Sequence, residues 1–185
     1  MKELTATFHS EVFRPVVTLV IPGFYAISTF SIVFWQRVPS CHHYVNDLPG
    51  LSATTAFLIV LTCGLIAEEI GARIEAFFDN ALCKIPGYES HLSEWYEYLR
   101  LAFEREPVGH RYLRSLVLRL KFELGMTVAS VPFAIGALWI QIPLVWRVAV
   151  VAGSFLLAAY LCFEAKDGTK TLSELRREIL KKNWD

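Results

Sequence analysis

The chain has 185 residues, of which 54% are hydrophobic and 14% aromatic, and its mean hydropathy is +0.40. That is too apolar for an ordinary soluble domain of this length, so something other than a protein core must hide the surplus surface. Lys+Arg and Asp+Glu number 18 each, which excludes a global basic field for nucleic acid and leaves charge informative only through its placement.

In chain order, the first uncharged run is Pro15 to Trp35, long enough to cross a hydrocarbon core of about 30 Å. It exceeds the apolar stretch of a cleaved signal peptide and lacks an A-x-A-like cleavage site, so an uncleaved signal anchor is expected. A second run covers Leu51 to Ala67, a third Leu124 to Ile142, and a fourth about Leu144 to Phe163, interrupted only by Arg147. The short link Gln141-Ile142-Pro143 predicts a tight hairpin between the last two, with Arg147 near enough to the membrane surface to snorkel.

The expected fold is therefore all-α: a polytopic membrane protein with four transmembrane helices and a cytosolic helical module between spans 2 and 3. It divides into 1–67 (N-terminal segment and spans 1 and 2), 68–123 (the module), 124–163 (the span 3–4 hairpin) and 164–185 (an amphipathic tail). Orientation follows from positive charge: with both termini inside, 16 of the 18 Lys and Arg lie on the cytosolic side. Of the four cysteines only Cys41 then faces an oxidising compartment, so no intrachain disulfide is expected.

The module is where the charged residues form patterns. Glu68, Glu75 and Asp79 follow span 2 at i, i+7 and i+11, one acidic stripe on a helix extending to about Ala81. Ahead of span 3, Tyr112, Leu113, Leu116, Val117 and Leu120 form an apolar face, and Arg111, Arg114 and Lys121 lie together on another. Pairing Glu68 with Lys121, Glu75 with Arg114 and Asp79 with Arg111 keeps the index sum nearly constant, as an antiparallel stalk requires.

Between the stalk helices, Leu92, Trp95, Tyr96, Leu99 and Phe103 share one face of an amphipathic stretch, which either covers the stalk or receives a partner. In the tail, Thr171 and Glu174 read as a capping box opening a short helix. Leu172, Leu175 and Ile179 are its apolar face, and Arg176, Arg177, Lys181 and Lys182 are basic residues suited to anionic lipid or an oligomer contact.

Small residues four apart recur in the last two spans: Gly125 with Ala129, Ser130 with Ala134, Ala149 with Gly153 and Ser154 with Ala158. They suit packing between spans 3 and 4 or between copies of the chain. Glu68, Glu75, Asp79 and His110 could suggest a helix-bundle metal site, but no Glu-x-x-His occurs. Cys41, His42 and His43 are consecutive, as a loop allows and a shared metal does not. Neither a G-x-S-x-G, a Walker loop, a Rossmann fingerprint nor an H-E-x-x-H is present. No cofactor, metal or catalytic residue is expected.

The four-span layout, with A-E-E-I-G-A-R-I-E after the second span and E-P-V-G-H-R-Y-L-R-S-L-V-L-R-L-K-F-E-L before the third, resembles uncharacterised bacterial inner-membrane proteins over most of the chain. In architecture it also resembles the membrane subunits of anti-phage defence systems such as Kiwa. That second resemblance implies an oligomeric membrane sensor or effector working with a cytosolic protein partner. The expected function is such a homo-oligomeric scaffold, sensor or effector in contact with membrane lipids, with no direct nucleic-acid partner. The alternatives are a small channel or transporter, which would pass ions in liposomes unaided, and a membrane-embedded enzyme, which would hold a metal or lipid substrate.

Overall fold

In the computed structural model, which describes residues 16–82, 84, 96–98 and 110–184, the regular elements among the described residues are all helical. A π-helical turn, Val16–Val20, leads into α1 (Ile21–Arg37); a short α2 (Ser40–Asp47) precedes three long helices, α3 (Pro49–Leu82), α4 (His110–Ala137) and α5 (Leu144–Trp184). Among the described residues four helices are long and apolar enough to cross a membrane: Val16–Arg37, Pro49–Leu82, Tyr112–Ala137 and Leu144–Lys181.

Within the apolar windows, small side chains face inward and large ones face out. In α1 the buried residues are Pro22, Gly23, Ala26 and Thr29, while Phe24, Phe30, Ile32 and Phe34 are exposed. In α3 the buried set is Val60, Gly64, Ala67 and Gly71, one stripe at helical spacing, while Phe57, Leu58, Ile59, Leu65 and Ile66 point away. This inversion is expected where the surroundings are hydrocarbon: burying a large apolar group gains nothing there, and association rests on close backbone approach between small residues.

The closest approach joins α1 and its lead-in turn to α3. A Cβ on Gly23 would stand 2.0 Å from the Val60 carbonyl oxygen, and one on Gly64 would stand 2.1 Å from the Leu19 carbonyl oxygen. Neither position admits even alanine without moving a backbone. Gly71 lies against Leu124 and Gly125 against Pro22, so the same small-residue logic brings α4 into the group. Helix α4 is the central one: 56% of its apolar window is buried, against 11% for that of α5.

Pro132 sits inside α4, where it removes one backbone donor. The carbonyls on either side of it receive hydroxyls from neighbouring helices: Thr29 Oγ1 donates to the Phe133 carbonyl at 3.0 Å, and Ser154 Oγ donates to the Ser130 carbonyl at 2.9 Å. The two hydroxyl bonds tie α1 and α5 to α4 close to the proline.

Beyond the apolar windows the ends of α3, α4 and α5 build a conventional core. Leu113, Leu120, Leu124, Ala165, Leu172, Ile179 and Leu180 are buried together with Tyr98, and Ile74, Phe78, Leu116, Val117 and Leu175 pack around them. The apolar faces expected before span 3 and in the tail thus meet each other. Burial within this core raises the Tyr98 phenol above its ordinary pKa.

Three local expectations are corrected. The third span does not run to Ile142 as helix: α4 ends at Ala137, and the Trp139 N–H bonds back three residues to the Gly136 carbonyl, while Pro143 restrains Ile142 from helical backbone. The tail is not a separate helix, since α5 is continuous through it. The Thr171 hydroxyl donates to the Asp167 carbonyl one turn back, at 3.0 Å, instead of capping a new N-terminus. The segment carrying Cys41, His42 and His43 is helix α2, not a loop; those three side chains lie outside the described residues.

Candidate functional site

The ionisable side chains that interrupt the apolar surface gather where the windows end, in two groups. The first joins α3 and α4. Lys121 Nζ donates to Glu68 Oε1 at 3.1 Å, and both side chains are 30% exposed. This is the first pair of the antiparallel register, and it is seated beside Gly71, whose missing side chain lets α3 approach Leu124.

The second group joins α4 and α5. Arg119 Nε donates to Glu123 Oε1 at 2.7 Å, and another guanidinium nitrogen of Arg119 bonds the Glu164 carboxylate. Glu123 is the inner member: its side chain is 7% exposed, against 57% for Arg119 and 38% for Glu164. Its other oxygen faces Gly168, where a Cβ would come within 4.0 Å. A fork of five N–H donors suits this bridging of two carboxylates, which a single ammonium would not hold in a fixed plane. The arrangement neutralises one of two close carboxylates and leaves the group with a net negative charge.

Chemically, this layer holds charge in place through paired carboxylates and cations. Among the described residues no three His, Cys, Asp or Glu side chains lie together as a metal site would need. The i, i+4 pairs Glu69–Arg73 and Lys170–Glu174, at 3.3 and 3.9 Å, are open to solvent and contribute only about 0.3–0.5 kcal/mol each.

The opposite end is aromatic. Trp35, Trp139 and Trp146 are exposed there, as side chains with an apolar body and a polar N–H are at a membrane–water interface. Arg37 lies over the Trp139 ring at 5.4 Å and donates to the Trp139 carbonyl at 3.5 Å, and the Gln141 N–H donates to Gln36 Oε1 at 3.0 Å. These contacts fasten the end of α1 to the link between α4 and α5.

The remaining sequence-predicted residues fall into place unevenly. Glu75 and Asp79 are half-buried and Arg114 is exposed, while the Arg111 side chain lies outside the described residues. On the aromatic stretch Leu92, Trp95, Leu99 and Phe103 lie outside the described residues; Tyr96 is 71% exposed, and its neighbour Tyr98, absent from the predicted face, is buried at 2%. Gly125, Ala129, Ser130, Ala134 and Ser154 are buried within the chain, and Ala158 is half-buried. Ala149 and Gly153 stay exposed, with nothing within 4 Å of a Cβ placed on Gly153. Arg176, predicted to lie off the packed face of the tail, is fully buried, so it is not available to lipid. The Gly23–Gly64 crossing escaped the sequence reading, although the small residues Gly23, Ala26 and Thr29 and the stripe from Val60 to Gly71 carry the signal.

These features define an all-helical protein with four candidate membrane-spanning helices, bounded by a charged layer at one end and an aromatic layer at the other. No protein-family model, no curated protein and no solved structure matches the chain.

Proposed function

We propose that the chain is a homo-oligomeric protein of a bacterial inner membrane, both termini cytosolic, that acts as a scaffold, sensor or effector by holding a cytosolic protein partner. A part in phage defence, through membrane sensing or a change in permeability, is the setting this architecture suits. The observation that carries the reading is the packed end formed by α3, α4 and α5: a folded head outside the apolar windows whose surface keeps Phe77, Tyr96 and Tyr112 at 69%, 71% and 59% exposure. Exposed aromatics on a folded surface are what partner binding uses, and they are costly to leave in water otherwise. The 16-to-2 distribution of Lys and Arg supports a cytosolic head.

Crosslinking in intact membranes followed by mass spectrometry of co-purified proteins tests the proposal directly; a reproducible partner that depends on Phe77 supports it. Ion flux through liposomes from the purified chain alone would favour a channel instead. Orientation is checked by single-cysteine labelling from outside intact cells. Positions 36–50 are expected to react and positions 68–123 to be protected, and the reverse pattern would overturn the assigned sidedness.

Assembly has its own expected result. In mild detergent the protein should give a homo-oligomer by native mass spectrometry, and Gly153→Leu should weaken it, because Ala149 and Gly153 form a small-residue surface left exposed among the described residues. A monomer in several mild detergents at micromolar concentration would sink the oligomeric part.

A further inference from the structure

A cation stands apart from the two charged groups described above. Arg147 interrupts the most apolar stretch of α5, where a cation is expensive unless it finds a partner or reaches the interface. Its guanidinium donates once, from Nη2 to the Ile142 carbonyl at 3.2 Å. Its Nε is buried and has no partner among the protein atoms. Beside it runs a groove of about 330 Å³ lined by Leu138, Leu144, Val148, Val151 and Ala152. Leu138, Leu144 and Val148 are more than half exposed, so the groove opens outward from the helix hairpin. Trp139 and Trp146, each next in sequence to a residue at the groove, are exposed as interfacial tryptophans are, which suits a headgroup near Arg147.

We propose that this groove is a binding site for one anionic phospholipid: an acyl chain lies along the aliphatic wall and the headgroup phosphate takes the unused guanidinium donors of Arg147. The chemistry matches at both ends. A guanidinium presents paired donors in the geometry of two phosphate oxygens, and such charge-assisted bonds strengthen where water is scarce. A headgroup with its own ammonium would place a like charge beside Arg147, so net negative lipids are favoured over zwitterionic ones. By the proposed orientation the site lies in the outer leaflet. The bound lipid would pack between the α4–α5 link and the first turns of α5, steadying the aromatic end.

The inference rests on the membrane reading of the fold, which carbonate extraction of isolated membranes checks by itself: release of the chain would sink that reading. For the site, the full chain in mild detergent is titrated with phosphatidylglycerol, phosphatidylethanolamine or inorganic phosphate and read by native mass spectrometry. Wild type is expected to retain one phosphatidylglycerol per chain, with binding weakened about tenfold by Arg147→Gln. Val151→Trp fills the groove, leaves Arg147 in place, and should weaken binding to a similar extent even if Arg147→Gln disturbs the hairpin. Equal retention of phosphatidylethanolamine, displacement of lipid by inorganic phosphate alone, lipid-free dimers that bury the groove, or unchanged binding in Val151→Trp would each overturn the proposal.

Discussion

Gly64→Leu is expected to prevent α1 and α3 from assembling. The new side chain would enter at the Leu19 carbonyl, where even a Cβ would stand 2.1 Å from the oxygen, and the obstacle is backbone, which has no rotamer to change. Overpacking of a yielding core costs about 1–3 kcal/mol; a backbone collision between two helices should exceed that range and appear as loss of a monodisperse, cooperatively melting species in detergent. Gly23→Leu should behave alike through Val60. Gly153→Leu is the control: its Cβ meets nothing within 4 Å, so the fold should survive while any assembly through that surface weakens. A Gly64→Leu protein with the wild-type melting temperature would show that the crossing between α1 and α3 is wrong.

The next largest effect is expected at Arg119. Removing it in Arg119→Ala strands Glu123, whose carboxylate is 7% exposed and has Glu164 as its neighbour across the removed guanidinium. Breaking a fully buried pair on one side costs about 3–5 kcal/mol, but Arg119 keeps 57% of its side-chain surface in contact with solvent, so about 2 kcal/mol is the scale to expect. The double variant Arg119→Ala, Glu123→Leu should recover most of the loss, because the stranded charge goes with its partner. Arg73→Ala, which touches only the exposed Glu69 pair, should stay within about 0.5 kcal/mol of wild type. Thermal unfolding in detergent reads all three. A double variant no more stable than Arg119→Ala would mean that the carboxylate is not held in the way its geometry implies.

The four apolar runs were legible because hydrophobicity over about 20 residues is a long, redundant signal. So was the opposition of Glu68 and Lys121, since two stripes of opposite sign on antiparallel helices admit few registers. The ends of elements were less legible: an uncharged run from Leu124 to Ile142 does not reveal that the helix stops at Ala137 and a turn fills the rest of the run. The Thr171–Glu174 pattern was ambiguous for a physical reason. A hydroxyl can cap a new helix or bond back one turn within an old one, and only the packing of Leu172 and Ile179 against α4 selects the second.

The candidate site was legible in part. Arg119, Glu123 and Glu164 come together across α4 and α5, which requires knowing that the tail continues span 4 and folds along the same neighbour. Arg176 was misjudged for a related reason: arginine is ordinarily exposed, and nothing in its spacing marks it as a fully buried side chain. The small-residue pairs of spans 3 and 4 were found and those of spans 1 and 2 across Gly23 and Gly64 were not, although the latter make the closer contact.

The 41 residues of α5 form one uninterrupted helix, about 60 Å from end to end at the usual rise per residue. Its first turn is held at the aromatic end by the Arg147 bond to Ile142, and its last turns are packed in the core around Ile179 and Leu180. With no break along its length, it makes the aromatic end and the far core the two ends of one continuous element, joined to α4 between them by the Ser154–Ser130 bond.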